Sequence, residues 1–220
     1  MNSSYQYKSN FFRDYSIPIV AGHSQQLPKY YPFVKRLFDI IFSIIGLVLS
    51  FPIIIFFGLL IKFESEGPMF YKQERVGLNG KYFYVIKIRS MRNDAEKNGA
   101  QWADKDDPRV TKIGKIIRKT RIDELPQLWN VLKGEMSLVG PRPERPMFTA
   151  KFNKEIPGFV ERLKVKPGLT GWAQVNGGYD ISPKEKLQYD LEYIDNMSII
   201  FDLKILLLTV KVVLTGNGAR

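Results

Sequence analysis

The strongest pattern in the chain is an uninterrupted apolar run near its N-terminus. The 22 residues from 40 to 61 carry no charge. A helix needs about 20 apolar residues to cross the hydrocarbon core of a bilayer. The run therefore predicts a membrane helix over 35–62 rather than the core helix of a soluble domain. Charged residues flank it on both sides: Lys35, Arg36, Asp39 and Lys62.

The flanking charges and one proline predict that this helix enters the bilayer and returns. Cytoplasmic segments are enriched in Lys and Arg, so basic flanks on both sides place both ends on the cytoplasmic face. Pro52 removes a backbone hydrogen bond in the middle of the run and favours a kink near Ser50. A re-entrant helix satisfies both observations. The chain then divides into an aromatic N-terminal arm (1–34), the re-entrant helix (35–62) and a cytoplasmic domain (63–220).

The remaining pattern predicts a small hairpin and further helices. Aromatic and β-branched residues around Asn79-Gly80 predict two antiparallel strands, 69–76 and 82–88. Apolar positions with helical spacing predict a helix over 123–134. Near the C-terminus, 199–214 is apolar with two lysines seven residues apart, which favours a helix lying in the membrane interface over a core helix. The predicted fold class is α+β: membrane-associated and mostly helical, with a small β-hairpin, a re-entrant helix and interfacial amphipathic helices.

Composition limits the chemistry that the chain can perform. The 220 residues contain no cysteine and one histidine, His23, which excludes a thiol nucleophile, a disulfide framework and a zinc site of Cys or several His ligands. Carboxylates, hydroxyls, amides and cations remain, and a metal bound by them would be a hard ion such as Mg²⁺. The net charge of +11 indicates an anionic partner: nucleic acid, a phosphorylated small molecule or an anionic bilayer.

The acidic pair Asp123-Glu124 is unusual because cations precede it at the start of a predicted helix. Pro126 is tolerated only in a first helical turn, so the helix begins near Asp123. Acids at this position can simply complement the helix dipole, which is worth about 0.3–1 kcal/mol. The pair could instead ligate Mg²⁺ or attack phosphorus beside a phosphate held at the helix start. The nearby cations are Arg118, Lys119 and Arg121.

Three further segments carry side chains suited to phosphate. The stiff loop "MSLVGPRPERP" presents Arg142 and Arg145, whose planar forks match phosphate oxygens. Lys87 and Arg89 alternate on a predicted strand, as residues on a solvated strand face also do. The segment "KVKPGLTGWAQVNG" could hold an anion or stack on a base ring, or be a glycine-rich connector. Its candidates are Lys166, Gln174 and Asn176.

Taken in order, these segments resemble one family. From Lys35 to about Gly216 the chain is similar to the bacterial sugar transferases that initiate surface glycan assembly, the monotopic polyprenol-phosphate phosphoglycosyl transferases. The resemblance covers most of the chain and rests on five motifs: "KRLFDI", a proline in the apolar helix, "KIRSM", "RIDELPQLWNVLKGEMSLVGPRP" and "KPGLTGWAQVNG". The helix break in the family is commonly Ser-Pro, whereas here it reads "SFP".

The resemblance implies a reaction and roles for residues. A sugar 1-phosphate passes from a UDP-sugar to undecaprenyl phosphate and UMP is released, as the first membrane step of capsule, exopolysaccharide or glycoconjugate assembly. Asp123 would be the nucleophile and Mg²⁺ ligand, forming a covalent phosphosugar, and Glu124 would assist with the metal or the proton. Lys87, Arg118 and Arg142 would bind phosphate. Further substrate-binding candidates are Arg89, Lys166, Gln174 and Asn176.

Two other functions are compatible with the same residues. A membrane-attached basic protein that binds anionic lipid or nucleic acid needs neither Asp123 nor Mg²⁺, and its nucleic-acid binding would weaken steeply with salt. A hydrolase would pass the sugar phosphate to water and form no glycolipid. The resemblance favours the transferase on the cytoplasmic face of the bacterial inner membrane. Its partners would be a UDP-sugar, undecaprenyl phosphate and membrane lipid, without nucleic acid, and a homo-oligomer is compatible with it.

Overall fold

A computed structural model describes residues 27–97, 99, 107–177 and 181–215. Most of the predicted N-terminal arm, including His23, lies outside the described residues. In chain order the elements are α1 (Tyr31–Glu64), β1 (Phe70–Val76), a 3₁₀ turn (Leu78–Gly80), β2 (Tyr82–Ile88), α2 (Lys112–Lys119), a 3₁₀ helix (Ile122–Gln127), α3 (Leu128–Lys133), β3 (Ser137–Val139), α4 (Pro146–Glu155), a 3₁₀ helix (Phe159–Lys164), β4 (Gly168–Thr170), α5 (Trp172–Gly177), α6 (Pro183–Asp195) and α7 (Ile199–Thr215).

The α+β class is confirmed, with one more sheet than predicted. The hairpin pairs β1 with β2 in antiparallel register, and its turn residues Asn79 and Gly80 have φ of 54° and 76°, a region that Asn and Gly adopt most readily. The second sheet pairs β3 with β4 in parallel. This pair was not predicted because each strand has only three residues, flanked by glycine and proline that are typical of loops.

The main core joins elements that are far apart in the sequence. Side chains from the hairpin, α3, β3, α6 and α7 pack together, and partly buried residues of α5 cover one side. A second, smaller cluster joins α1 to β2 and α2. The buried members of the main core are Phe83, Val85, Leu128, Val131, Met136, Leu138, Val139, Tyr193, Ile194 and Ile205.

Helix α1 packs against the domain along its whole length. Its buried residues recur at intervals of three, four, seven or eight, which is the spacing of one helical face. Two glycines allow close approach: a Cβ added to Gly46 would lie 2.9 Å from Leu128 Cδ1, and one added to Gly58 would lie 2.3 Å from Met69 Sδ. The buried face comprises Tyr31, Asp39, Ser43, Ser50, Ile54, Gly58 and Ile61.

Polar contacts fasten the N-terminal part of α1 to the domain. Lys35 Nζ lies 2.8 Å from Asp202 Oδ2 of α7. The guanidinium of Arg36 donates to two carbonyls at the end of α3, each at 2.7 Å. Asp39 is buried and accepts hydrogen bonds from the Leu138 amide at 2.9 Å and from the Ser137 hydroxyl at 3.0 Å. The "KRLFDI" motif therefore joins the apolar helix to the domain.

The C-terminal end of α1 is also fastened by charged groups. The Glu64 carboxylate accepts hydrogen bonds from the first two amides of α2, at 2.7 and 3.0 Å. Arg89 is buried, and its guanidinium donates to the carbonyls of Ser65, at 2.6 Å, and of Glu66. Both ends of α1 thus contact the same domain through groups that require polar partners.

The outward face of α1 is apolar and exposed. In the described part of the chain, α1 is the one helix long and apolar enough to cross a membrane, and the helix continues through Pro52. Ser50 faces the domain, and its buried hydroxyl has no hydrogen-bond partner in the structure. Exposed apolar side chains continue on α7: Ile200, Leu203, Leu207, Val210, Val213 and Leu214.

Asp39→Ala should destabilise the protein because it leaves the buried Leu138 amide without an acceptor. We expect a loss of about 1–3 kcal/mol of unfolding free energy, measured by thermal unfolding in detergent. Asp39→Asn retains one acceptor oxygen and should lose less. An unchanged melting temperature in Asp39→Ala would show that this contact does not hold α1 in place.

Candidate active site

The acidic pair, Asp123 and Glu124 (the dyad), lies in the 3₁₀ helix Ile122–Gln127, which we call the dyad helix. The prediction that the pair opens an α-helix was wrong, because regular α-helix begins only at Leu128. Pro126 has no amide hydrogen and blocks α-helical bonding in this turn. The dyad is therefore not presented by the N-terminus of a long α-helix.

Glu124 is held by two cations from different parts of the chain. Lys87 Nζ, from β2, lies 2.7 Å from Glu124 Oε1. Arg142 forms a two-pronged contact with the same carboxylate, through Nη1 at 3.2 Å from Oε2 and through Nη2 to Oε1. The side chain of Glu124 is buried, so both contacts are largely shielded from water.

Asp123 is buried beside Glu124 but remains unpaired. Its exposed fraction is 7%, and within the described ranges its carboxylate forms no ion pair and accepts no hydrogen bond. The charges of Lys87, Arg118 and Arg142 act on it without direct contact. The two carboxylates of the dyad are consequently in different states. The charge of Glu124 is balanced by bonded cations, whereas Asp123 has no bonded partner among the described residues.

The same arrangement separates the acidities of the two groups. Burial opposes ionisation of Glu124, but Arg142 and Lys87 outweigh it and hold the pKa of that carboxyl well below its usual range. Burial, with the negative charge of Glu124 nearby, raises the pKa of Asp123 to about 6. At neutral pH both carboxylates are ionised, and Asp123 is the more basic.

The loop that carries Arg142 depends on close backbone packing. Gly140 donates to the Thr170 carbonyl and Gly168 donates to the Pro141 carbonyl, each at 2.9 Å. A Cβ on Gly168 would lie 2.1 Å from the Gly140 nitrogen, and one on Gly171 would lie 2.2 Å from the Gly140 oxygen. These glycines allow the segment 140–145, which we call the PRP loop, to lie directly against the β4 segment.

The other predicted binding residues lie apart from the dyad or bond locally. Arg89 holds the end of α1, as described above. Lys166 lies beside Arg36 near the end of α3, where burial and then the charge of Arg36 lower its pKa. Gln174 donates to the Leu169 carbonyl at 3.0 Å, and Asn176 donates to the Trp172 carbonyl at 2.8 Å. Arg145 pairs with Glu96 at 2.7 Å instead of facing the dyad.

Sequence reasoning missed a buried ionic cluster behind the PRP loop. The cluster joins β1, the PRP loop, the 3₁₀ helix Phe159–Lys164 and α6. Its residues lie in segments rich in charge, to which the sequence analysis assigned no role, and only their low exposure distinguishes them. They are Arg75, Glu144, Arg162, Lys186 and Asp190.

Comparison with known proteins places this site in a family. The family model for bacterial sugar transferases matches residues 30–216, which include the dyad, the PRP loop and the glycine-rich segment. The chain belongs to the bacterial sugar transferase family.

Relatives of this sugar transferase differ in length. The UDP-N-acetylgalactosamine-undecaprenyl-phosphate N-acetylgalactosaminephosphotransferase of Aeromonas hydrophila is 47% identical over 86% of the chain, which spans 46% of that protein. The UDP-glucose:undecaprenyl-phosphate glucose-1-phosphate transferase of Escherichia coli (strain K12) is 40% identical over 88% of the chain, which spans 43% of it. The uncharacterized sugar transferase EpsL of Bacillus subtilis (strain 168) is 45% identical over 85% of the chain, which spans 90% of it.

The acidity of Asp123 can be measured directly in this sugar transferase. With aspartate labelled by ¹³C at its carboxyl, the signal absent from Asp123→Asn should titrate with a midpoint near pH 6 when no divalent cation is added. Lys87→Met should move this midpoint upward, because the ammonium favours the ionised form. Lys72→Met, on the exposed side of β1, is the matched control. A midpoint near the usual value of about 4 would contradict the burial of Asp123.

Proposed function

We propose that this sugar transferase moves a sugar 1-phosphate from a UDP-sugar to undecaprenyl phosphate and releases UMP, through a phosphosugar on Asp123. The carrying observation is the division of the dyad: Glu124 is bound by Lys87 and Arg142, whereas Asp123 has no bonded partner among the residues that the structure describes. The names of the Aeromonas and Escherichia coli relatives support the donor and acceptor classes. The reaction would be the first membrane step in assembling a surface polysaccharide or glycoconjugate.

The first half-reaction uses Asp123 as a nucleophile. One of its oxygens forms a bond to the phosphorus that carries the sugar, while the bond from that phosphorus to the bridging oxygen breaks and UMP leaves with the electron pair. A carboxylate with a pKa near 6 is ionised at neutral pH and more nucleophilic than an ordinary one. In the second half-reaction an oxygen of undecaprenyl phosphate attacks the same phosphorus and frees Asp123.

Cations around the dyad reduce the repulsion between this carboxylate and the anionic diphosphate. Lys87 and Arg142 lie at Glu124, and Arg118 on α2 contributes positive potential at Asp123. Their charges would also stabilise the negative charge that develops on the leaving UMP. Glu124 keeps Lys87 and Arg142 in position before substrate binds, and a phosphate can then share their donors.

The free carboxylate also suits Mg²⁺. Among the described residues no group of three His, Asp or Glu side chains could hold a metal alone. Mg²⁺ commonly binds one or two carboxylates and completes its shell with substrate phosphate and water, so Asp123 is a fitting ligand. When bound, the ion would neutralise phosphate charge.

The packing of α1 supports the re-entrant placement. A helix of 34 residues is about 51 Å long, which exceeds a hydrocarbon core of about 30 Å. A full span would carry the Lys35 and Asp39 contacts to the opposite side of the bilayer from the Glu64 contact, although all of them are made with one domain. We infer that both ends lie on the cytoplasmic face of the inner membrane, and that the apolar faces of α1 and α7 contact lipid.

The covalent route predicts a burst of product without the lipid acceptor. With a UDP-sugar and Mg²⁺ alone, the enzyme should release about one UMP per active site and gain the mass of a sugar phosphate. Asp123→Asn should abolish both signals because an amide is a poor nucleophile, and Glu124→Gln should slow turnover. Asp94→Asn, an exposed carboxylate elsewhere, is the matched control.

Two outcomes separate this mechanism from its competitors. UMP release that requires undecaprenyl phosphate, or an adduct that still forms in Asp123→Asn, would indicate direct transfer or another nucleophile. Continuous UMP release without the lipid, with free sugar phosphate as the product, would indicate a hydrolase.

The re-entrant placement predicts that the segment before α1 and the domain after it are both protected in intact cells. The chain has no native cysteine, so single cysteines at the exposed positions Lys29 and Lys151 can be labelled without background. Neither should react with an impermeant maleimide until the inner membrane is opened. Labelling at position 29 alone in intact cells would show a full span.

A further inference from the structure

The PRP loop has no regular secondary structure, so its position depends on groups that bond its backbone. One buried arginine, Arg162, and one partly buried arginine, Arg75, do this. Arg162 Nη2 donates to the Arg142 carbonyl at 2.8 Å, and Arg75 Nη1 donates to the Pro143 carbonyl at 2.8 Å. The carbonyl of Arg142 belongs to the same residue whose guanidinium contacts Glu124.

Arg162 is itself fixed by Asp190 of α6. Its Nε and Nη2 lie 2.8 and 2.7 Å from Asp190 Oδ2, and the two residues are 2% and 1% exposed. Glu144 is the acidic residue of the PRP loop. Its Oε1 lies 4.0 Å from Arg162 Nη1 and accepts a hydrogen bond from Lys186 Nζ at 2.9 Å. The loop is therefore joined to α6 in two ways: by Arg162, which bridges Asp190 and the Arg142 carbonyl, and by the Lys186–Glu144 pair.

Stability alone is a poor explanation for this arrangement. A buried ion pair loses so much hydration that well-packed apolar residues of similar volume are often as stable or more so. Arg162 also donates one hydrogen bond to the Arg142 carbonyl rather than to a second carboxylate oxygen. A planar guanidinium that bonds Asp190 and the Arg142 carbonyl together fixes the distance between α6 and the PRP loop.

We propose that Arg162, held by Asp190, is a positioning residue that places the Arg142 guanidinium at the dyad. This inference rests on the proposed function, in which Arg142 binds substrate phosphate. Arg162 makes no contact with the dyad itself in the structure, so its effect on the reaction must pass through Arg142. Displacement of a binding group by about 1 Å can reduce rates about a hundredfold.

The first test uses Arg162→Lys, which keeps the charge beside Asp190 but cannot bond Asp190 and the Arg142 carbonyl with one planar group. We expect kcat/KM for transfer to undecaprenyl phosphate to fall about ten- to a hundredfold in a protein that still folds, although the lost hydrogen bonds lower its melting temperature. If Arg162→Lys does not fold, Arg162→Gln with Asp190→Asn removes both charges together and leaves no lone buried charge.

The decisive test is a double-mutant cycle with Arg142→Ala, using radiolabelled donor so that residual activity stays measurable. If Arg162 acts through Arg142, its substitution should reduce kcat/KM by less than about twofold once Arg142 is absent. Arg36→Gln, which removes another guanidinium that bonds backbone carbonyls, is the control, and its effect should be the same in both backgrounds.

The outcomes distinguish this inference from the function on which it rests. Equal losses from the Arg162 substitution with and without Arg142 would show a general structural role and overturn the positioning inference alone. Wild-type activity in Arg142→Ala would remove the role of Arg142 in the proposed function, and the inference with it. Unchanged activity in folded Arg162→Lys and in the charge-neutral pair would also overturn the inference.

Discussion

Two adjacent carboxylates cannot both be buried as ions unless cations approach them, and this constraint organises the candidate active site. Glu124 is neutralised by Lys87 and Arg142, which come from a strand and a loop far apart in the sequence. Burial raises the pKa of Asp123, and the field of these two cations, which are engaged with Glu124, lowers it only in part. The ionic contacts of Glu124 thus leave a second buried carboxylate, that of Asp123, with a raised pKa next to it.

The contacts of Lys87 and Arg142 with Glu124 also require a particular packing of the rest of the domain. Lys87 must reach the dyad helix, so β2 has to pack beside it, and the Ile88 that follows lies in the core shared with α1. Arg142 must also reach the dyad helix, so the PRP loop has to lie against the β4 segment, where side chains at Gly140 and Gly168 would collide with backbone. The buried ions behind the loop then complete its support. The packing of β2, the glycines beside the PRP loop and the ions behind it therefore all help to place Lys87 and Arg142 at Glu124.

The apolar helix α1 combines a face that packs on the domain with a face that is exposed. One face of α1 meets the domain through glycines, small polar groups and charged residues at its ends, while the other remains apolar. A purely lipid-facing helix would not need Asp39 or Glu64, and a core helix would not leave so many large apolar side chains exposed. A rigid link between this apolar surface and the cations at the dyad fits the proposed reaction, in which one substrate would be dissolved and the other held in the bilayer.

Sequence alone determined the features that depend on local pattern. The apolar run gave the position of α1, Asn79-Gly80 gave the hairpin turn, and the ordered motifs gave the family. Sequence could not determine the 3₁₀ conformation of the dyad helix or the parallel β3–β4 pair. It could not separate the partners of Lys87 and Arg89 either, since basic residues two positions apart at the end of a strand look alike until their contacts are known. The unequal states of Asp123 and Glu124 were likewise decided only by tertiary structure, because the acidity of a buried group depends on charges that arrive from distant parts of the chain.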